Sequence, residues 1–398
     1  MLKFAKSQPD LRFPEFRLDW EELRVGNYID EFRGRSSDNN EYQMLTSSNR
    51  GLMKQEEYYG QNRITEKDNT GFNIIPPGYI TYRSRSDNRT FTFNINDLGI
   101  TGVISTYYPV FSIKHGSNRF FVEYFNYHQH YLGKYSVGTS QQVLSLNELR
   151  EIKLRIPERA EQQKIAAFLS AVDEKIRQLT RKKKLLLKYK NGVMQQIFSQ
   201  KIRFKDDKEN DFPDWEESRL GAVGQIIGGG TPETDKKEYW GGNIPWFTPT
   251  EIKSKFVDKS LRTLTELGLR KSSATLLPKG TLLLSSRATV GDVGIALNEC
   301  CTNQGFQSII VNDQNANEFI YYWLTNNRKE LLRRSNGSTF LEISKSEISK
   351  IPILLPSEPE QSIIAKFLSS IDNKIELVNG QLEGTKAFKE GLMQQMFV

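Results

Sequence analysis

Two short stretches of the chain interleave arginine with tyrosine, serine and asparagine. They read TYRSRSDNR at residues 81–89 and SSRATVGD at residues 285–292. A guanidinium group can bind guanine through two hydrogen bonds, asparagine and glutamine can read adenine, and hydroxyl groups position phosphates. These residue types support nucleic-acid binding, although any polar protein surface also contains them.

The two stretches occupy corresponding places, because IIPPGYITYRSR at residues 74–85 aligns with LLPKGTLLLSSR at residues 276–287. Each is followed by a predicted helix that ends in a basic, glycine-containing turn. We therefore predict a DNA-binding set that consists of Arg83, Arg85, Lys114, Lys134, Ser286, Arg287, Arg333 and Arg334. The alternative for each arginine is an ion pair with an acidic side chain.

Sequence patterns of catalysis are missing. The chain has no GxxxxGK[ST] phosphate loop, and GGGTP at residues 228–232 lacks the lysine and reads as a turn. IPPGY at residues 75–79 resembles the motif of adenine methylation only in its prolines, since no Asn or Asp precedes them. The three histidines lie in no metal-ligand pattern. We expect no catalytic residue, metal site or cofactor in this chain, and an enzyme in its own right is the alternative.

Composition favours an anionic partner. The chain has 398 residues, a formal net charge of +7 and a pI near 9.1, so nucleic acid is favoured over membrane, and a merely basic soluble protein is the alternative. No apolar run approaches the roughly 18 residues of a membrane span, and no signal peptide is visible. The two cysteines are adjacent, which is typical of a reduced protein. We expect a cytoplasmic protein with two or three domains.

The chain repeats itself at a shift of 199 residues. IPERAEQQKIAAFLSAVDEKI at 156–176 falls on LPSEPEQSIIAKFLSSIDNKI at 355–375, and NGVMQQIFS at 191–199 falls on EGLMQQMFV at 390–398. The start of the unit also recurs, as DWEELRVG and DWEESRLG, and LKF at 2–4 is matched with IRF at 202–204. The sequence therefore predicts two tandem units, the second beginning near Gln200.

The repeated segments have the apolar spacing of long helices. Each runs for roughly 38 residues without a later proline, or about 57 Å at ~1.5 Å per residue. The predicted partner-helix interface is Ile165, Phe168, Leu169, Val172 and Ile176 in one copy, and Ile364, Phe367, Leu368, Ile371 and Ile375 in the other. SEPE at 357–360 predicts a capping box. Gly192 and Gly391 predict either close approach of another backbone or a helix break.

The variable part of each unit predicts an α+β domain. Strands are expected at 78–84, 91–97, 280–286 and 293–297, and helices at 119–135 and 317–335. We predict globular domains at 1–155 and 201–354, which the resemblance described below identifies as target-recognition domains, and helical spacers at 156–200 and 355–398. The two long helices should pack as an antiparallel, coiled-coil-like pair with pseudo-two-fold symmetry. A purely structural helical hairpin is the simplest interpretation of that pair.

Taken together, these segments resemble the specificity subunits of type I restriction-modification systems. The repeated helical segments and their MQQ ends carry the resemblance, with GGGTPETDKKEYWGGNIPWFTPTEI at 228–252 and LLPKGTLLLSSRATVGDVGIALNECCTNQGF at 276–306. The first domain departs from the pattern, because it lacks the GTP…YWGG.IPW segment.

The resemblance implies a DNA-binding subunit of a host-defence complex that carries out no chemistry. Each domain would read one half of a bipartite, asymmetric site in double-stranded DNA, and the helices would set the gap. The helices would also dock two modification subunits, which methylate adenine with S-adenosylmethionine. Restriction subunits, which translocate and cleave DNA, would use ATP and Mg²⁺. The competing interpretation is a stand-alone DNA-binding or scaffold protein with a helical dimerisation hairpin.

Overall fold

The computed structural model describes residues 8–60, 68–337 and 341–398. Its contacts divide the chain into two compact units. Unit 1 comprises Met1–Thr180 with Gly380–Val398, and unit 2 comprises Arg181–Asn379. The division passes through both long helices, so each unit holds a part of each. The predicted domain boundaries, which keep each helix whole, stay a prediction.

Unit 1 carries two four-stranded sheets, with strand orders β2-β10-β6-β8 and β4-β3-β9-β5. Its strands are β1 Glu21–Arg24, β2 Ile29–Phe32, β3 Gln43–Ser48, β4 Gly51–Lys54, β5 Asn73–Ile75, β6 Ile80–Tyr82, β7 Arg85–Ser86, β8 Phe93–Ile95, β9 Gly102–Ile104, β10 Val110–Ile113, β11 Gln142–Val143 and β12 Lys153–Ile156. Its own helices are α1 Gln55–Tyr59, α2 Asn118–Tyr127, α3 Gln129–Leu132 and α4 Leu146–Glu151.

The long helix α5 runs over Arg159–Phe198 and leads into unit 2. Unit 2 has a five-stranded sheet of order β14-β21-β18-β19-β16 and a three-stranded sheet of order β17-β15-β20. Its strands are β13 Glu216–Arg219, β14 Gly224–Gly228, β15 Trp240–Phe247, β16 Phe256–Val257, β17 Arg262–Leu264, β18 Leu282–Leu284, β19 Val293–Ala296, β20 Cys301–Thr302, β21 Gln307–Val311 and β22 Pro352–Leu355. Its helices are α6 Leu220–Val223, α7 Glu266–Arg270, α8 Asn317–Asn326, α9 Arg328–Arg333 and α10 Lys345–Ser349, and the second long helix, α11, covers Glu358–Met396.

Both domains are closed by the same strand pair. In unit 1, β1 pairs antiparallel with β12, with Glu21 opposite Ile156. In unit 2, β13 pairs antiparallel with β22, with Glu216 opposite Leu355. Each pair joins the beginning of a domain to its end, directly before the long helix starts. The predicted α+β class and the duplicated architecture are confirmed.

The long helices form as the apolar spacing predicts, but the two glycines do not act as expected. A methyl group added at Gly192 or Gly391 would meet no atom of the described residues within 4 Å, and the helices continue to Phe198 and Met396. The predicted helix break is therefore wrong, and no backbone among the described residues of this chain approaches either glycine.

In each unit the beginning of one long helix packs against the end of the other. In unit 1 the buried Leu169 and Val172 share an apolar cluster with Leu392 and Met396. In unit 2 the buried Leu368 and Ile371 share a cluster with Met194 and Ile197 of α5. The predicted interface residues divide into a buried group, Ile165, Leu169, Val172, Ile364, Leu368 and Ile371, and a partly buried group, Phe168, Ile176, Phe367 and Ile375. The same clusters include aromatic residues of α2 and α8, so these faces hold the domains as well as the helix partner.

Two local expectations fail. The capping box predicted for SEPE does not form: the Ser357 hydroxyl is buried without a hydrogen-bond partner among the described residues, and the Glu360 carboxylate binds Arg203. The predicted helices at 119–135 and 317–335 each divide in two, at His128 and Asn327. The Asn327 side chain donates to the Trp323 carbonyl, an interaction that favours a helix end over continuation.

Candidate nucleic-acid interface

Strand alternation at the end of β6 sets the direction of the first pair of predicted DNA-binding arginines. Tyr82 and Ser84 point inward, where they donate to the carbonyls of Leu144 (2.9 Å) and Tyr107 (2.6 Å). Arg83 and Arg85 therefore point outward, and both are exposed.

Neither of these arginines is neutralised by a carboxylate among the described residues. The Arg85 guanidinium lies 4.0 Å from the centre of the Tyr107 ring, a cation–π contact that leaves its N–H donors available. Across the strand, Arg85 faces the apolar Val143. Arg83 lies near Tyr108: burial raises the pKa of that phenol, and the guanidinium acts against the rise.

Arg83 and Arg85 border one concave polar site of about 390 Å³. The lining also includes the tip of the β3–β4 hairpin, where Ser48 and Asn49 lie, and the α1 residues Tyr58 and Tyr59. The rest of the lining is polar and includes hydroxyl and amide groups of the segment that follows β7. The site thus combines free guanidinium groups, aromatic faces and amides, the chemistry that recognises nucleotides.

Sequence reasoning missed the hairpin and the α1 rings. Arg50 at the hairpin tip lies 5.8 Å from the centre of the Tyr58 ring, and Tyr58 meets Tyr59 edge to face at 4.7 Å. The tyrosine doublet close behind a glycine-containing turn was an available signal, but nothing in the sequence relates it to Arg83, over twenty residues on.

The two predicted lysines of this domain lie elsewhere. The Lys114 and Lys134 side chains are exposed, and neither borders the concave site. Lys114 follows β10 and its backbone N–H donates to Tyr28, whereas Lys134 lies in a short 3-10 turn after α3. The structure therefore does not gather all four cations at one place.

The second domain places the corresponding arginine beside an acid. Arg287 occupies the position of Arg85, but its cross-strand neighbour is Glu342 instead of a valine. The two side chains form an ion pair at 2.7 Å, and each is nearly half exposed. Pairs with this exposure contribute about 0–1 kcal/mol, so a phosphate can displace the carboxylate.

Ser286 does not lie on the surface of the domain. The residue is 1 % exposed, its hydroxyl has no hydrogen-bond partner in the described parts of the chain, and its backbone N–H donates to Gly305. A hydroxyl at this depth does not reach DNA, so Ser286 leaves the predicted set. Strict alternation along a strand would turn only one of two adjacent serines inward, but Ser285 and Ser286 are both buried. The sequence pattern therefore did not reveal the burial of Ser286.

Arg333 and Arg334 also have acidic partners. Both bind Glu330 one helical turn earlier, at 3.0 and 2.8 Å, and Arg334 lies 3.8 Å from Glu347. The hydrogen bond from Lys350 and its positive charge lower the pKa of Glu347, and the charge of Arg334 lowers it further to a smaller extent. The alternative stated for these arginines, an ion pair within the domain, therefore holds for all three of the second domain.

Each domain is fastened to its long helix by a glutamate–glutamine pair at the helix start. Arg12 binds both oxygens of the buried Glu161 at 2.7 Å. Gln162 accepts from the backbone N–H of Ser117, which caps α2, at 3.1 Å. In this way one pair of adjacent residues fixes both the segment before the domain and the domain's central helix.

Unit 2 repeats the same fastening. Arg203 binds both oxygens of Glu360 at 2.9 Å, and Gln361 accepts from the backbone N–H of Ala316 before α8 at 3.0 Å. The segment LRF at 11–13 is thus the structural counterpart of IRF at 202–204, and the match of IRF with LKF stays a prediction. Leu2–Phe4 lies outside the described residues.

A lysine–aspartate pair joins the two long helices in each unit. In unit 1, Lys389 of α11 binds Asp173 of α5 at 2.8 Å and Glu123 of α2 at 3.0 Å. Burial raises the pKa of Glu123, and Lys389 acts against that rise. In unit 2, Lys190 of α5 binds Asp372 of α11 at 2.6 Å, and the Tyr322 hydroxyl donates to the same carboxylate at 2.5 Å.

Each unit also exposes one aromatic ring at equivalent helix positions. Tyr189 of α5 is 53 % exposed, and Phe388 of α11 is 55 % exposed. Their numbers differ by 199, the shift of the repeat. Exposed aromatic rings are enriched at protein–protein interfaces, so each unit offers the same kind of anchor.

Other classes of site find no support in the described residues. No group of three or more histidine, cysteine, aspartate or glutamate side chains among them could hold a metal ion. Cys300 and Cys301 are buried free thiols, and burial raises the pKa of Cys300 to about 12. None of the described helices combines the length and the apolar character needed to cross a membrane.

Comparison with known proteins agrees with this architecture. The family described as "Type I restriction modification DNA specificity domain" matches residues 21–189 and 213–386, one match in each half of the chain. The MjaIX specificity subunit of a type I restriction enzyme of Methanocaldococcus jannaschii is 38 % identical over 212 residues, which are 51 % of this chain and 49 % of that protein. The match thus spans about half the length of that relative.

Two solved structures share the fold. The S subunit of a type I restriction-modification system from M. genitalium has a TM-score of 0.63 and 15 % identity, and the match covers 98 % of this chain and 99 % of that one. A chain from a study of complex assembly and conformational transition of the type I R-M system has a TM-score of 0.57 and 19 % identity, with 96 % and 97 % coverage. At these identities the likeness concerns the fold alone.

Proposed function

The chain belongs to the type I restriction modification DNA specificity family, and from that premise we propose that it is the DNA-recognition subunit of a type I restriction-modification complex. Each globular domain reads one half of a bipartite, asymmetric site in double-stranded DNA. The chain supplies recognition and geometry and performs no chemistry itself. Its place of action is the cytoplasm, where the DNA is.

One observation carries this proposal: the frame of the chain is duplicated and the reading surfaces are not. The strand pair, the glutamate–glutamine fastening and the lysine–aspartate pair occur once in each unit. Because B-DNA has a local dyad, two readers on one duplex are best held by a duplicated frame. The diverged surfaces around Arg85 and Arg287 then read different half-sites, so the site is not a palindrome.

The proposed DNA contacts follow from charge and exposure. In the first domain we assign the concave site with Arg83 and Arg85, and in the second the ion-paired Arg287, Arg333 and Arg334, whose carboxylate partners phosphate would displace. Lys114 and Lys134 stay as candidate phosphate contacts outside the concave site. Guanidinium groups can form paired hydrogen bonds to guanine or phosphate, which suits both uses.

The proposed partners are two modification subunits, one for each unit. The equivalent rings of Tyr189 and Phe388 would anchor them on the long helices, and one solved structure of the same fold comes from work on assembly of a type I R-M system. The modification subunits would bring S-adenosylmethionine, and restriction subunits would bring ATP and Mg²⁺. A stand-alone scaffold with a dimerising hairpin is less favoured, because each long helix already buries its apolar face within this chain.

Exchange of the first domain tests the proposal. Residues 1–155 are replaced by the first domain of another family member, and methylated adenines are mapped by single-molecule sequencing in cells that also carry the modification subunit. We expect one half of the methylated motif to change and the other half to stay. A change in both halves, or no methylation with the unaltered chain, would contradict the proposed division of labour.

A further inference from the structure

The stretch RKKKLLLKYK at residues 181–190 of α5 presents its cations on two different faces. Lys183 donates to Asn379 of α11 at 2.5 Å, and Lys190 binds Asp372 at 2.6 Å. These two lysines belong to the pairing of the long helices. The remaining cations of the stretch have another role to be explained.

Three of the remaining cations form a line on the outer face of the helix. Arg181, Lys184 and Lys188 stand at i, i+3 and i+7, a spacing that places side chains along one side of an α-helix. All three are exposed, and none of their side chains forms an ion pair or a hydrogen bond in the described parts of the chain. We call these three residues the basic ridge.

The second long helix has no such ridge. At a shift of 199 residues its corresponding positions are Gly380, Glu383 and Ala387. The charge at these positions is therefore +3 on α5 and −1 on α11. The two helices pair with each other and would dock identical partners. Neither helix pairing nor partner docking therefore explains a basic ridge that is present on α5 and absent from α11.

We infer that the basic ridge binds the phosphate backbone of the DNA between the two half-sites. This inference rests on the proposed function, because it requires both domains to sit on one duplex. The ridge lies in the second half of α5, in the part of that helix that belongs to unit 2, and α5 joins the first reader to the second along the chain. Under the proposed function, the polyanion that both readers share is the duplex, and the part of it that no reader occupies is the DNA of the gap.

The dimensions and chemistry of the ridge fit a phosphate backbone. Arg181 and Lys188 are seven residues apart, about 10.5 Å along the helix. One DNA strand carries a phosphate about every 3.4 Å of axis, so this length spans roughly three phosphates. Lysine is depleted in the cores of protein–protein interfaces, which makes a protein partner a poorer match for the ridge.

The test measures the salt dependence of DNA binding by the complex with its modification subunits. The triple variant Arg181→Gln, Lys184→Gln, Lys188→Gln is compared with Lys366→Gln, Lys374→Gln, Lys386→Gln, which removes the same charge from exposed sites of α11. Binding to a duplex with the methylated motif is measured between 50 and 200 mM salt. We expect the ridge variant to lower the slope of log K against log[salt] by about two to three, since each phosphate contact contributes about 0.9.

The control variant should change that slope by less than one, and the methylated bases should stay the same in both variants. An unchanged slope in the ridge variant, with specific binding retained, overturns the inference. So does an equal fall in both variants, which would reflect net charge alone. Loss of modification subunits from the ridge variant with an unaltered slope would assign the ridge to a protein instead. Absence of specific binding by the unsubstituted complex would refute the proposed function itself.

Discussion

The cross-strand neighbour decides whether an arginine of this repeat is free. Arg85 and Arg287 end aligned segments, yet Val143 stands opposite one and Glu342 opposite the other. Val143 has no charge to bind Arg85, whose guanidinium lies over the Tyr107 ring, whereas Glu342 forms an ion pair with Arg287. Whether the guanidinium N–H donors are free or occupied therefore depends on one residue difference, valine or glutamate, in the segment opposite the arginine.

We predict different consequences for removal of these two arginines. Arg85→Ala should lower affinity by about 1–3 kcal/mol if the side chain reads a base, or reduce the salt slope by about one if it binds phosphate. Arg287→Ala should cost less, because binding must first break an ion pair of about 0–1 kcal/mol. In a Glu342→Val background the cost of Arg287→Ala should rise. Titration of labelled duplex checks this, and equal costs in both backgrounds would contradict it.

The His128 imidazole gives unit 1 a pH dependence. The ring lies against Tyr124 and Tyr127, and burial lowers its pKa from 6.5 to about 4. Between these values the unfolded chain binds a proton that the folded chain does not, so stability should fall as pH drops from about 6.5 to about 4, by about 1–3 kcal/mol.

Substitution of this histidine should remove that dependence. Asparagine stands at the corresponding position of the second domain, Asn327, so His128→Asn is the conservative change. Thermal unfolding is measured from pH 4 to 7 for this variant and for His130→Asn, an exposed control. Only the first should flatten the pH profile. A profile that stays as steep in His128→Asn as in the parent would assign the effect to other groups.

At the scale of elements, periodicity predicted most of the fold and contacts between distant segments supplied the rest. The long helices and the strands at β6 and β18 follow from local spacing, which a sequence displays directly. The role of Arg12 does not follow from local spacing, because seven residues lie between Leu11 and Asp19 whereas eleven lie between Ile202 and Asp214. That difference in length hid the structural counterpart of IRF.

The candidate site was predictable to the same limited degree. Alternation along a strand placed Arg83 and Arg85 outward, but it could not show which carboxylates would meet Arg287, Arg333 and Arg334. Those pairs form across strands or between turns whose geometry is set by the whole domain. Tyr58 and Tyr59 were missed for the same reason.

The helix glycines offer a stabilising change. Since a methyl group at Gly192 or Gly391 would lie more than 4 Å from every atom in the described parts of the chain, alanine there should stabilise each helix by up to about 1 kcal/mol. Calorimetric unfolding of Gly192→Ala and Gly391→Ala measures this. Gly230→Ala is the contrasting control, because its methyl group would lie 2.4 Å from the Ser273 backbone and should destabilise the domain. If the helix variants were stable but failed to bind modification subunits, the glycines would mark the docking surface.

At the scale of the whole molecule, the two helix pairings share one spacing. Asp173 and Lys190 are 17 residues apart on α5, and Asp372 and Lys389 are 17 residues apart on α11. An insertion of four residues in one helix alone changes its spacing from 17 to 21 residues and leaves the spacing in the other helix at 17. We expect the unequal spacings to weaken the ion pairs, so a test of helix length should alter both helices.

We predict that paired insertions change the gap and nothing else. Four residues after Leu179 and four after Val378 add about 6 Å to each helix, or one to two base pairs at ~3.4 Å each. Sequencing of methylated adenines should show the same half-sites at a wider gap. A single insertion after Leu179 should reduce stability instead. An active complex with paired insertions and the original gap would show that the helices do not set the spacing.

The order of synthesis gives this arrangement a further consequence. Unit 1 needs Gly380–Val398, and its other residues end at Thr180. At ~5–20 residues per second, the ribosome takes about 10–40 s to reach the segment with Leu392, Met396 and Phe397, which cover the aromatic core of unit 1. Unit 2 is contiguous and receives all its parts earlier. The nascent chain therefore completes unit 2 before unit 1. Until the last helical segment is made, the aromatic core of unit 1 stays uncovered, and this is the surface that a chaperone would meet.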